Sequence, residues 1–265
     1  LKYGEQVSDV IVAWAGNDQY GETRKLRRYN YRKVEGKWIP TPPVYMAAIE
    51  PHWKLIRPIA LDSSGQFKPA PPVPFSRKKE SEFYELALHV YHTTRNATPE
   101  QTEIANFWDC NPFAVSFSGH MAIGLKKISP GGHWMGITGI ASRDAGLDVV
   151  RSAEAYARVA MALADGFISV WDEKYRSVLI RPETVINESI DPDWRPVLQT
   201  PPFPEYTSGH SVVSGAAAEV LTDLFGDGFE YYDDVEEPFG LATRWYASFR
   251  EAAEEAAISR LYGGI

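Results

Sequence analysis

Apolar residues along this chain recur mostly at helical spacing. Leu1 to Trp14 read as an amphipathic helix, with the helical region ending near residue 16. Ser81 to Arg95 predict a second helix. Thr98-Pro99-Glu100-Gln101 is a capping-box sequence with proline at the first helical position, which starts a third helix running to about Cys110. Gly132 to Ile180 has helical spacing throughout. Its second half gathers Tyr156, Val159, Ala160, Leu163, Phe167, Ile168 and Trp171 on one broad face. Residues 208–225 predict a further helix stopped by Gly226, and about 239–261 a last one stopped by Gly263. Two stretches break the pattern. Residues 28–39 alternate aromatic and basic positions around Gly36, as a small hairpin would. Residues 40–75 carry nine prolines, which forbid long regular elements, so this stretch reads as an ordered wrap over a core. Its aromatics Tyr45, Trp53 and Phe67 argue against a free linker. No internal repeat is found. The fold class is therefore all-α, a helical bundle with a proline-rich irregular wrap.

Composition narrows the function classes. The 265 residues are 44% hydrophobic and 23% charged, as in an ordinary globular protein. With 27 basic against 35 acidic residues the net charge is −8, unsuited to general nucleic-acid binding yet compatible with a local cationic pocket. A single cysteine, Cys110, excludes an internal disulfide framework. Its neighbours Phe107, Trp108 and Phe113 suggest a buried thiol. The sequence contains no run of about 18 apolar residues, the length that crosses a membrane as a helix. The start shows no basic-then-apolar leader, and its helix has no start signal. The end stops abruptly at Tyr262-Gly263-Gly264-Ile265, so a piece of a longer chain is expected.

Three late segments carry the candidate chemistry. In the first, Lys174 and Arg181 lie seven residues apart, close to two helical turns, so both are expected on one face, with Pro182 ending the element. In the second, Thr200-Pro201-Pro202-Phe203-Pro204 leads into Ser208-Gly209-His210. Ser208 suits a helix N-cap, Gly209 lets an oxyanion approach the backbone, and His210 can move a proton near neutrality. The third is Ser259-Arg260 at the end of a helix rich in Ala and Glu. Each segment alone also fits a plain structural role.

In this order and spacing, Lys-x6-Arg-Pro, Ser-Gly-His and Ser-Arg resemble the three-part signature of the type-2 phosphatidic acid phosphatase and vanadium haloperoxidase superfamily. The likeness is strongest from about Ala162 to Ile265, and nearest to the soluble bacterial haloperoxidase-like branch. Gly36 to Pro43 and Pro130 to Trp134 resemble those proteins less specifically. The resemblance implies one helical domain over 1–265, with the wrap at about 28–75 and the site-bearing half at about 130–265. It implies that Lys174, Arg181, Ser208, Gly209 and Arg260 bind vanadate, or phosphate in the same site, and that His210 is the acid–base residue. It places the histidine that binds vanadium, or attacks phosphorus, immediately after Ile265, so no metal ligand lies within the chain. Thr207 departs from the proline the superfamily usually has there.

The resemblance leaves three functions open. A haloperoxidase would use hydrogen peroxide and halide. A soluble phosphatase would hydrolyse a phosphomonoester through a phosphohistidine. A helical binding domain would carry a degenerate site. Trp171 and Phe203 stand where the superfamily's chloroperoxidases carry Trp and Phe, which favours a haloperoxidase, although both could simply pack the core. His133, after Gly131-Gly132, is a candidate pocket-lining residue. Nucleic acid and membrane spans are excluded as partners, oligomers are allowed, and a bacterial exported or periplasmic location is implied. Several motifs read as incidental: Glu85, His89 and His92 on one helix face, Ser118-Gly119-His120, and the sequons Asn96-Ala97-Thr98 and Asn187-Glu188-Ser189.

Overall fold

A computed structural model describes residues 2–125 and 127–265, without the side chains of Phe117 and Ser118. Leu1 of the first expected helix and the Ser118 side chain of the first Ser-Gly-His lie outside the described residues. The fold is helical: α1 (Lys2–Ala15), α2 (Tyr20–Thr23), α3 (Glu82–Arg95), α4 (Pro99–Phe107), α5 (Pro130–Asp144), α6 (Val149–Ser177), α7 (Pro182–Ser189), α8 (Gly209–Phe225) and α9 (Phe249–Gly263). Two short antiparallel pairs interrupt it. β1 (Val115–Ser118) pairs with β2 (Met121–Gly124), and β3 (Tyr231–Asp233) with β4 (Arg244–Tyr246). Among the described residues no helix is long and apolar enough to cross a membrane.

The core lies among α4, α5, α6, α8 and α9. α8 can sit close to its neighbours because its buried stripe is narrow: Val213, Ala217 and Leu221 follow at four-residue intervals, all essentially unexposed. Gly166 of α6 faces Val213 and Ala216 across that contact. On α9 the buried stripe is Ala252, Ala256, Ser259, Arg260 and Gly263, so a charged residue occupies a core-facing position.

The structure corrects several expectations. The helix expected from Gly132 to Ile180 is two helices: Gly146 turns the chain at φ +63°, and the Asp148 side chain then caps α6 by accepting from Arg151 N at 2.8 Å. The last helix begins at Phe249 rather than 239, because residues 244–246 extend to pair with β3. Residues 28–39 form no hairpin. Lys37 instead bridges Leu179, and Trp38 N donates to Val178 O at 3.0 Å, so this segment pairs across the end of α6. In keeping with its incidental reading, the first Ser-Gly-His lies in a hairpin: Ser118 ends β1 and Gly119-His120 turn into β2. α1 is helical as expected but buries no residue.

The proline-rich wrap is irregular apart from one 3-10 turn at Trp53–Leu55. A buried carboxylate fastens it down. Asp165 on α6 accepts from Ile59 N and Ala60 N at 2.7 Å and from Leu61 N at 3.0 Å. Three N–H groups on one charged acceptor make a strong anchor. Asp165→Ala should therefore cost about 3 kcal/mol of stability or more. Chemical denaturation would measure it, and a loss near zero would mean that the wrap is held elsewhere.

Candidate active site

α6 ends at Ser177, and Val178 takes the left-handed conformation, reversing the chain. Lys174 and Arg181 therefore do not share a helix face, contrary to expectation. Arg181 is extended and precedes the Pro182 start of α7. The reversal nonetheless brings both cations over one ring: Lys174 Nζ lies 5.0 Å and the Arg181 guanidinium 5.1 Å from the Phe203 centroid. Trp171 packs against the same ring at 5.0 Å.

Ser208 is the N-cap of α8, accepting from Ser211 N at 3.2 Å. The first turn of α8 thus faces Lys174 and Arg181 across a cavity of about 410 Å³. Lys174, Arg181, Phe203, Ser208, Gly209 and His210 line it, and α9 adds Arg260. A side chain at Gly209 would meet nothing within 4 Å, so space opens directly over this helix N-terminus. The remaining wall is largely apolar, including Ile49, Trp53 and Trp171. Ile265 also lies on it. His133 does not: it stands behind the cavity, fully buried, with its ring stacked on Trp108. Glu85, His89 and His92 are exposed and form no metal-sized group among the described residues.

The three cations are buried, at 1% exposure for Lys174, 4% for Arg181 and 8% for Arg260. Backbone carbonyls solvate them in part. Lys174 Nζ donates to Pro204 O at 2.8 Å and Glu205 O at 2.9 Å, Arg181 Nε to Phe203 O at 2.8 Å, and Arg260 Nη1 to Trp108 O at 3.0 Å. Among the described residues Glu205 is the one carboxylate paired with them, 2.6 Å from Arg181 Nη1. Arg181 Nη2 is buried with no partner among the described residues. Burial, reinforced by Arg181, pushes the Lys174 ammonium well below its ordinary range. Burial lowers Arg260 to about 10. Enclosure and then Arg260 push His210 well below 6.5, so it is neutral at pH 7. Its Nε2 lies 3.0 Å from Trp108 O, which can only accept, so Nε2 carries the proton and Nδ1 is free to accept one. The motifs did not reveal Glu205 or the Trp108 carbonyl as partners. Glu205 stands three residues before Ser208 and was visible there, but nothing in the pattern marked it as an ion-pair partner.

Residues 154–265 match the family model described as the VCPO second helical-bundle domain. The crystal structure of a bacterial vanadium-dependent iodoperoxidase superposes at a TM-score of 0.93, with 52% identity across all of this chain. The chain shares the fold of the bacterial vanadium haloperoxidases, and its C-terminal part resembles their second helical-bundle domain. It spans 63% of that iodoperoxidase's length. Holo and apo bacterial vanadium-dependent chloroperoxidases align over 95% and 91% of the chain, and over 64% and 63% of their own, with TM-scores of 0.69 and 0.67. At 15% and 14% identity these speak to the fold alone. Comparison with curated proteins returns no match.

The lowered Lys174 value gives the sign of a pH effect. Between the folded value and the ordinary 10.5, the unfolded chain holds the extra proton, so stability rises with pH across that window. Below the window the penalty is fully present. In anion-free buffer the melting temperature of the protein relative to Lys174→Met should rise as pH climbs toward 10.5. Inorganic phosphate should raise it most near neutrality. A pH-independent difference would show that Lys174 carries no such penalty.

Proposed function

We propose that this chain forms the vanadate-binding part of a haloperoxidase that oxidises halide with hydrogen peroxide, with iodide as the halide. The single observation carrying this reading is the cavity itself: three buried cations converge beside an uncovered helix N-terminus, and one guanidinium N–H is left unpartnered. The residues fit an oxyanion. Lys174, Arg181 and Arg260 would hold its oxygens, with Ser208 and the Gly209 N–H adding hydrogen bonds. On the superfamily pattern the direct histidine ligand would follow Ile265, and Ile265 stands on the cavity wall. Identity of 52% with an iodoperoxidase across the whole chain supports both the chemistry and the choice of halide.

Held by Lys174, Arg181, Arg260, Ser208 and the Gly209 N–H, vanadate would supply the activation of peroxide for two-electron oxidation of halide to hypohalous acid. The protein's own part is to bind, orient and move protons. The cations neutralise the oxyanion's charge in a low-dielectric pocket. His210 accepts a proton at Nδ1, while the Trp108 carbonyl fixes the tautomer at Nε2. Trp53, Trp171 and Phe203 present apolar surface to the halide and limit water. Export, implied by the superfamily branch, would place the enzyme outside the bacterial cytoplasm.

The full-length protein loaded with vanadate should oxidise iodide with peroxide in a vanadium-dependent assay. Lys174→Ala or Arg181→Ala should weaken vanadate binding about 10- to 100-fold. His210→Ala should lower turnover about 100-fold or more while changing vanadate affinity only a few-fold. Vanadate-inhibited hydrolysis of p-nitrophenyl phosphate without halide oxidation would instead make it a phosphatase. Neither activity, with no oxyanion bound, would leave a non-catalytic domain.

A further inference from the structure

A second group of reactive side chains lies behind the cavity. Cys110 follows α4, His133 stands in the first turns of α5, and Glu236 follows β3. All three are buried, at 2%, 0% and 5% exposure. Cys110 Sγ is 3.5 Å from His133 Nδ1, His133 Nδ1 is 3.2 Å from Glu236 Oε1, and Cys110 Sγ is 3.8 Å from Glu236 Oε1. These atoms form one compact triangle.

That triangle has the dimensions of a metal face. A tetrahedral ion with a thiolate bond of about 2.3 Å and nitrogen and oxygen bonds of about 2.0–2.1 Å separates its ligand atoms by about 3.4–3.6 Å. The three observed separations fall within a few tenths of an ångström of that. The outer partner is in place as well. His133 Nε2 lies 2.8 Å from Asp233 Oδ2, and Asp233 is fully buried, its Oδ1 accepting from Val235 N at 3.1 Å. A carboxylate on the far nitrogen is how metal-bound imidazoles are usually oriented, and here it aims Nδ1 into the triangle. Stacking on Trp108, at 4.6 Å and 16°, holds the ring plane.

We propose that Cys110, His133 and Glu236 bind one divalent ion of the zinc class, with Asp233 orienting His133. The donor set selects the metal: sulfur and imidazole nitrogen disfavour the hard ions that prefer all-oxygen sites, and a thiolate with one imidazole and one carboxylate suits zinc. Cys110 also lines the 410 Å³ cavity, whereas His133 and Glu236 do not. Entry is thus from the cavity side, and a water from there completes four-coordination. Protons balance: burial opposes the charge, but hydrogen bonds to Asp233, Cys110 and Glu236 hold His133 protonated well above its ordinary range, so the ion displaces one proton from the Cys110 thiol and one from His133 Nδ1 and the net charge of the cluster does not change. The ion would tie together the segment after α4, the start of α5 and the turn after β3. Its role is to hold Trp108, whose carbonyl accepts from both His210 and Arg260.

The test uses untagged full-length protein, purified without chelator, and elemental analysis for zinc. The expected result is one equivalent per chain. After removal of zinc, cobalt(II) should restore the intense visible bands of a tetrahedral site and a thiolate-to-cobalt charge-transfer band. Cys110→Ser should abolish that band, and Asp233→Asn should weaken metal affinity about 10- to 100-fold. Glu236→Gln is the second ligand variant should Cys110→Ser fold poorly, with circular dichroism verifying the fold of each. Cobalt bound without a thiolate band, zinc uptake unchanged in both ligand variants, or no uptake by folded protein would each overturn the proposal and leave a hydrogen-bonded cluster. None of these readouts depends on vanadate or on peroxidase activity.

Discussion

Burying like charges around one cavity is the constraint on which the rest of this structure depends. Lys174, Arg181 and Arg260 come from three separate elements and all lie below a tenth exposed. In a low-dielectric interior such charges repel one another strongly. The carbonyls of Trp108, Phe203, Pro204 and Glu205, and the carboxylates of Glu205 and Asp109, offset only part of that cost. The residue is visible in the lowered Lys174 and Arg260 values and in an unpartnered Arg181 N–H. A multiply charged oxyanion would relieve all of these at once, which ties the stability of the fold to the occupancy of its site.

The scaffold exists to hold that arrangement. The heaviest packing joins α8 to α6 and α9, the helices carrying Lys174 and Arg260. The Asp165 anchor draws the wrap over α6 and seats Trp53 against Trp171 at 4.8 Å. Behind Trp108, Glu255 accepts from the Trp108 indole, Arg244 and Tyr246. Trp108 is thereby fixed by its ring on one side and used by its carbonyl on the other.

Local rules made part of this legible beforehand. The capping box at Thr98 and the Ser208 cap follow from side-chain chemistry within four residues, and both form. The wrap follows from proline density alone. Other features depend on distant partners that no local pattern encodes. The short β3–β4 pair shortened the last helix because Arg244 to Tyr246 find their hydrogen bonds with Tyr231 to Asp233. Residues 28–39 alternate like a strand, yet Lys37 pairs with Leu179, far along the chain. Arg260 occupies a buried position in an Ala- and Glu-rich helix that looks solvated in isolation; only the resemblance of the three motifs to the superfamily signature marks it. His133 looked like a pocket residue because a Gly-Gly turn precedes it, but its partners Asp233 and Glu236 lie a hundred residues away and hold it behind the wall.

The most direct test of the cradle is a crystal structure of the full-length protein with vanadate, read from the anomalous signal of vanadium. The account predicts one vanadium peak inside the cavity, its oxygens within hydrogen-bond distance of Lys174 Nζ, Arg181 Nη2, an Arg260 guanidinium nitrogen and the Gly209 N–H. Vanadium elsewhere, or an oxyanion that leaves Arg181 Nη2 unpartnered, would contradict it.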